Sequence, residues 1–113
     1  MITVQIDSGI CGFSTTVRAS KLESRSVGIA LDSDCKHIKS FGNELKELGM
    51  IDILRVPINL NPVYETAGKC RLHSSCPVPC VVIKAAEVAL GLALKRDVQI
   101  VFQAERQAVG GEG

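Results

Sequence analysis

The chain has 113 residues, of which 46% are hydrophobic, and this is enough apolar material for a single domain with a buried core. Its formal net charge is +1, and its aromatic residues are three Phe and one Tyr, so it lacks the basic surface and the stacking platform of nucleic-acid-binding proteins. We expect the domain to span residues 1–106 and the glycine-rich residues 107–113 to be a flexible tail.

Neither a secretion signal nor a membrane-spanning segment is predicted. Met1 leads directly into an alternating strand pattern, without the basic and hydrophobic regions of a signal peptide. The longest apolar stretch, near residues 80–94, contains Lys84 and Glu87 and is shorter than the roughly 20 residues that span a bilayer. We therefore expect a cytoplasmic protein with no membrane or nucleic-acid partner. The apolar character of this stretch leaves a homodimer open.

The first third of the chain has the two-residue period of β-strands. Three strands are predicted from inward-facing series, which are Ile2/Val4/Ile6, Phe13/Thr15/Val17/Ala19 and Val27/Ile29/Leu31. Gly9 and Gly12 bracket Ile10 and Cys11, and because glycine adopts positive φ readily, this spacing predicts a tight connection between the first two strands. A polar turn at residues 23–25 leads to the third strand. Short polar connections of this kind are typical of an antiparallel meander.

The first predicted helix follows residues 32–34, which are residue types that cap helix N-termini. Its helical spacing places Cys35 in the first turn, near the buried face. The predicted apolar stripe consists of Ile38, Phe41, Leu45 and Leu48. Gly49 is expected to end this helix. Residues 50–56 leave a short strand, a helical turn and an extended connection open.

Two more helices and a last strand complete the predicted fold. Asn61 followed by Pro62 is typical of a helix start, and we expect this helix to continue to about Leu72. The third helix is expected at about residues 80–94. Alternating apolar residues predict a final strand at residues 98–104. The order β-β-β-α-α-α-β predicts a two-layer α+β domain, with helices on one face of a mainly antiparallel sheet.

Five cysteines are many for this length, and without a secretion signal they favour metal binding or redox chemistry over a disulfide framework. In the predicted fold, Cys11 ends the first strand, Cys35 begins the first helix, and His73 and Cys76 lie between the last two helices. These positions can meet at one edge of the sheet. Thiolate and imidazole ligands suit zinc or an iron–sulfur cluster, so Cys11, Cys35, His73 and Cys76 form the predicted metal site.

Other readings of the cysteines remain open. Cys76 lies next to Pro77 near a helix N-terminus, where the helix dipole favours the thiolate, so it is also a candidate redox nucleophile with Cys80 or Cys35 as the resolving thiol. Alternatively the cysteines only pack, as free cysteines often do, in an interaction module without bound metal. Cys70, on the apolar face of the second helix, is the one most readily assigned to packing.

Several segments together resemble a family of small prokaryotic proteins of unknown function. The resemblance rests on the segments Ser8–Phe13 (SGICGF), Asp34–Cys35, His73–Pro79 (HSSCPVP) and Ile83–Ala89, and it extends over nearly the whole chain. It implies that Cys11, Cys35, His73 and Cys76 belong to the family pattern, whereas Cys70 and Cys80 are peculiar to this member. It also implies an intracellular prokaryotic protein from an anaerobic setting. It carries no established activity or catalytic residue.

Overall fold

Alternating strand residues and amphipathic helices assemble into an α+β fold in the computed structural model, which describes residues 1–23 and 25–105. The predicted tail at residues 107–113 lies outside the described residues, as does Ser24. In chain order, the described elements are β1 (Ile2–Asp7), β2 (Ser14–Lys21), β3 (Ser26–Ser33), α1 (Lys36–Glu44), β4 (Glu47–Gly49), α2 (Met50–Leu54), α3 (Pro62–Lys69) and α4 (Val78–Ala89). Short 3-10 turns lie at Gly9–Cys11 and Ile58–Leu60.

The strands form an antiparallel sheet in the order β1-β2-β3-β4. Val4 pairs with Val17, and Val17 pairs with Leu31, so the inward residues predicted for the first three strands lie on one face of the sheet. Phe13 is the exception, because it precedes β2 and is exposed. Helix α4 packs on β1 and β2, and α1 packs on β3. The opposite face carries exposed polar residues such as Gln5 and Arg18. The predicted two-layer α+β class is therefore confirmed.

The hydrophobic core lies between this sheet and the helices. Its largest fully buried apolar side chains are Phe41, Val17, Val27, Val63, Val78 and Val82. Helix α4 contributes small residues as well, and Ala85 and Ala86 are buried where the helix approaches the sheet. Within the described ranges, no helix is long and apolar enough to cross a membrane.

Helix α1 is shorter than the sequence predicts. Cys35 is the N-cap residue rather than a first-turn residue, and the helix ends at Glu44. Leu48, the expected last member of the apolar stripe, lies instead in β4, where it pairs with Val27 of β3 and is buried. The prediction that Leu48 is helical was wrong because a strand next to the free edge of β3 buries this leucine equally well.

The region left open at residues 50–56 begins with the short helix α2. The Asp52 carboxylate accepts a 2.9 Å hydrogen bond from the Gly49 amide and thereby satisfies a free donor at the helix start. The predicted start of the next helix is confirmed, since the side chain of Asn61 accepts a hydrogen bond from the amide of Val63 at 2.9 Å. That helix ends at Lys69, three residues before the predicted end.

The end of the chain differs most from the prediction. Helix α4 starts at Val78 and ends at Ala89, earlier than the expected span of 80–94. The strand predicted at residues 98–104 is not formed, and these residues are exposed. An alternating pattern produces a strand only where a neighbouring strand accepts its hydrogen bonds. The described part of this segment has no such neighbour.

Candidate functional site

The first candidate thiol, Cys11, lies in the turn between β1 and β2. Gly9 and Gly12 have φ values of 77° and 76°, a left-handed conformation that residues with side chains rarely adopt, so the sequence-based prediction for these glycines is confirmed. The Gly12 amide donates to the Gly9 carbonyl at 2.8 Å. Cys11 is exposed, and its thiol donates a long hydrogen bond of 3.7 Å to the carbonyl of Ser8.

The second thiol, Cys35, is half-buried at the N-cap of α1. Its amide donates to the Ser33 side-chain oxygen at 3.2 Å. The same oxygen accepts a 3.0 Å hydrogen bond from the hydroxyl of Thr15 on β2. Thr15 and Ser33 are both buried, so these two hydrogen bonds hold the backbone at Cys35 in place.

The third thiol, Cys76, is half-buried just before α4. Its amide donates to the carbonyl of His73 at 3.0 Å, which closes the turn between α3 and α4. The backbone amide of Val78, in the first turn of α4, lowers the pKa of Cys76 and so favours its thiolate.

The pKa of Cys76 indicates that the three thiols lie near one another. Burial is the largest influence and raises the pKa of Cys76, while the Val78 amide lowers it. The charges of Cys11 and Cys35 raise it further. Such an effect requires proximity, because the interaction of like charges falls off with distance and is screened by solvent. Cys11 and Cys35, although distant in sequence, therefore lie within electrostatic range of Cys76.

The direction of this pKa shift corrects one expectation. From its position at a helix N-terminus, the dipole was expected to favour the thiolate of Cys76. Burial and the two neighbouring thiols outweigh the helix terminus, so the pKa of Cys76 rises above its ordinary value. The thiol is consequently protonated at neutral pH.

The part of the chain that the structure describes holds no preformed metal site. In residues 1–23 and 25–105, no group of three or more His, Cys, Asp or Glu side chains is arranged to hold a metal ion. His73 is exposed, and its carbonyl rather than its imidazole takes part in the turn. The four predicted ligands thus do not form a closed coordination shell.

The two remaining cysteines lie elsewhere. Cys70 is buried in the hydrophobic core at the end of α3, in agreement with its assignment to packing, and burial raises its pKa. Cys80 is exposed in the first turn of α4, near Tyr64. Burial raises the pKa of Tyr64, and the charge of Cys80 adds to this effect.

Sequence reasoning missed the polar residues that support the site. Thr15 was assigned to the inward face of its strand. A hydroxyl at such a core position could have indicated a buried hydrogen bond, which Thr15 forms with Ser33. Ser33 was considered only as a helix cap. The hydroxyl oxygen of Ser8, in the turn that carries Cys11, is buried and has no hydrogen-bond partner among the described residues. No feature of the sequence pointed to this unsatisfied group.

The comparison with protein families gives one match. A family model described as a family of unknown function, DUF6951, matches residues 2–102, which include all four predicted ligands. The chain belongs to the DUF6951 family. The resemblance to a family of unknown function is thereby confirmed, whereas the cysteine pattern and the prokaryotic origin that we associated with it stay predictions. No curated protein and no solved structure matches this DUF6951 chain.

Proposed function

We propose that this DUF6951 protein binds a metal ion or a small iron–sulfur cluster through the thiolates of Cys11, Cys35 and Cys76, with His73 as a further ligand. The observation that carries the proposal is the electrostatic coupling of Cys76 to Cys11 and Cys35. Zinc and iron–sulfur clusters are the centres that sulfur-rich ligand sets of this kind prefer.

The surroundings of the thiols favour a bound cation. The charges of Cys11 and Cys35 raise the pKa of Cys76, and a cation removes this repulsion when it replaces the protons. Cys35 caps the N-terminus of α1, and Cys76 lies two residues before the start of α4. The positive ends of two helices therefore help to balance the negative charge of a thiolate centre.

Closing the coordination shell requires the exposed ligands to move. Cys35 and Cys76 are half-buried and fixed by backbone hydrogen bonds. Cys11 is exposed between Gly9 and Gly12, and its thiol is held only by a long contact with a carbonyl. We therefore assign Cys11 and His73 as the ligands that move toward Cys35 and Cys76 when metal binds.

The two alternative functions are less compatible with these observations. A redox nucleophile requires a lowered thiol pKa, and the pKa of Cys76 is raised. Purely structural cysteines are expected to be buried in the manner of Cys70, and Cys11 is instead exposed on a turn. Metal binding accounts for both the exposure of Cys11 and its proximity to Cys76.

The deciding experiment is metal analysis of protein purified without oxygen or chelator, combined with an absorption spectrum. We expect stoichiometric zinc, or iron and sulfide with visible charge-transfer bands. Cys35→Ser should lose the metal, and Cys80→Ser is the matched control because Cys80 has an exposed thiol and is not one of the proposed ligands. Metal-free parent protein, or equal metal content in the two serine variants, would contradict the proposal.

A further inference from the structure

The segment that follows α4 exposes an unusual amount of apolar surface. Residues 98–104 alternate in the manner of a strand, and the exposed fractions of Val98, Ile100 and Phe102 are 56%, 81% and 97%. Val101 is also exposed. Adjacent large apolar side chains on a surface are typical of an interaction site rather than of a solvated loop. The family match continues to residue 102, so most of this segment belongs to the family's common region.

Strand β1 offers a complementary surface. It lies at one edge of the sheet and pairs with β2, so its other side carries backbone groups without a strand partner in the described part of the chain. Open edges of this kind bind extended segments by strand addition. Ile2 and Val4 on this strand are only half-buried, which leaves apolar surface to be covered.

A groove of about 690 Å³ separates the two features. Residues 2–7 of β1 form one wall, residues 95–101 form another, and Val81, Ala85 and Val88 of α4 contribute apolar lining. The segment of the same chain thus lies across the groove from β1 and forms no backbone hydrogen bond with it. The open side of β1 remains accessible to a strand from another molecule.

We propose that residues 98–104 of a second copy of this chain add to the free edge of β1, and that the exchange is reciprocal in a two-fold symmetric dimer. The residue spacing fits this occupant. In an antiparallel register, which all other pairs of the sheet have, Ile2, Val4 and Ile6 lie opposite Phe102, Ile100 and Val98. Val98, Ile100 and Phe102 of the added strand then face the α4 side of the sheet, whereas Val101 faces the outer side.

On the outer face of the sheet, this register places Thr3 opposite Val101. Gln5 lies opposite Gln99 in this register, so two side-chain amides face each other at the solvent-exposed surface. In a two-fold symmetric dimer, residues 98–104 of each copy cover the β1 edge of the other copy, so both open edges and both apolar segments are buried. Each copy thereby gains the fifth strand that its own sequence encodes.

The test is the molar mass of the full-length chain, measured by light scattering over a range of concentrations. The parent protein is expected at twice the chain mass of 12.1 kDa. Ile100→Lys should be monomeric. Ile51→Lys is the matched control, because Ile51 is similarly exposed, at 73%, but lies in α2 away from the groove, and it should remain dimeric. Phe102→Lys provides a second disrupting variant if Ile100→Lys has an altered circular dichroism spectrum.

Hydrogen exchange distinguishes addition of residues 98–104 to β1 of a second copy from their addition to β1 of the same chain. The amides of β1 and of residues 98–104 should become more protected as protein concentration rises, and Ile100→Lys should abolish this dependence. A monomeric parent protein overturns the proposal, and so does a dimer that persists in both lysine variants of the segment. Protection that is independent of concentration in a monomer would assign the fifth strand to the same chain. Loss of metal binding would leave these outcomes unchanged.

Discussion

The amide of Cys35 donates a 3.2 Å hydrogen bond to the side-chain oxygen of Ser33, the last residue of β3. This contact spans the change from strand to helix and holds one of the three proposed thiolate ligands at the N-cap of α1. Because Thr15 of β2 donates to the same oxygen, the position of Cys35 depends on two strands of the sheet.

Ser33→Ala is expected to lower the free energy of unfolding by about 1–3 kcal/mol, since the buried hydroxyl of Thr15 and the amide of Cys35 lose their shared partner. Urea denaturation measures the change. Ser40→Ala is the control, because Ser40 is exposed in α1 and alanine is a favourable helix residue, so stability should be unchanged or slightly higher. Equal effects of the two substitutions would contradict the assigned role of Ser33.

Asn61 combines a helix cap with a buried link to the α2 region. Its side-chain oxygen accepts from the amide of Val63, and its side-chain NH₂ group donates to the carbonyls of Asp52, Ile53 and Arg55 at 3.0–3.2 Å. Asn61→Asp keeps the cap acceptor but replaces the donor group with a carboxylate oxygen facing these carbonyls. We expect a loss of about 2–4 kcal/mol in the free energy of unfolding, from unsatisfied buried carbonyls and burial of a charge.

The control for this substitution is Asn59→Asp, on the exposed turn that precedes Asn61. It should change stability by no more than about 0.5 kcal/mol, as surface substitutions usually do. If Asn61→Asp were equally mild, the cap alone would account for the contribution of Asn61, and the hydrogen bonds to the carbonyls would be dispensable.

Two helical glycines are expected to respond to alanine in opposite ways. A Cβ at Gly42 of α1 would lie 3.1 Å from the Cβ of Leu31 on β3, closer than ordinary contact, so Gly42→Ala should reduce stability despite the better helix propensity of alanine. A Cβ at Gly68 of α3 meets no atom within 4 Å, and Gly68→Ala should add up to about 1 kcal/mol. Thermal and urea unfolding of the two variants test this contrast. Equal gains in stability for both variants would show that α1 shifts away from β3 to accommodate the added Cβ.

The metal-free protein is expected to lose stability at alkaline pH. The folded state raises the pKa of Cys76 above its unfolded value of about 8.5, mainly through burial, so the unfolded chain releases this proton first as the pH rises. This contribution to stability is complete below about pH 8.5 and declines above it. Urea unfolding between pH 7 and about pH 10 should show a shallower decline for Cys76→Ser than for the parent protein.

The buried thiol of Cys70 also has a raised pKa, so Cys76→Ser should reduce the alkaline decline without abolishing it. Identical pH profiles for the parent protein and Cys76→Ser would show that the environment of Cys76 is more hydrated than its half-buried position indicates. Added zinc should stabilise the parent protein in the same pH range, because a metal ion binds the thiolate form that alkaline pH favours.

Local sequence patterns were sufficient for the elements whose structure depends on nearby residues. The alternation of Ile2, Val4 and Ile6 predicted an inward strand face, and Asn61 with Pro62 marked a helix start that the structure confirms. The paired glycines at positions 9 and 12 predicted the tight turn that presents Cys11. In each case the backbone preference and the hydrogen-bond partner lie within a few residues, so no knowledge of the tertiary fold was required.

The remaining features were decided by contacts between distant parts of the chain. Leu48 became a strand residue because β3 offered a free edge, and residues 98–104 formed no strand because no edge of the same chain paired with them. The sequence pattern determined which residues could alternate, cap a helix or bind metal. Only the tertiary structure brought Cys11 and Cys35 near Cys76 and partly buried the Cys76 thiol. This environment raises the pKa of Cys76, although a position beside a helix N-terminus favours a lower pKa.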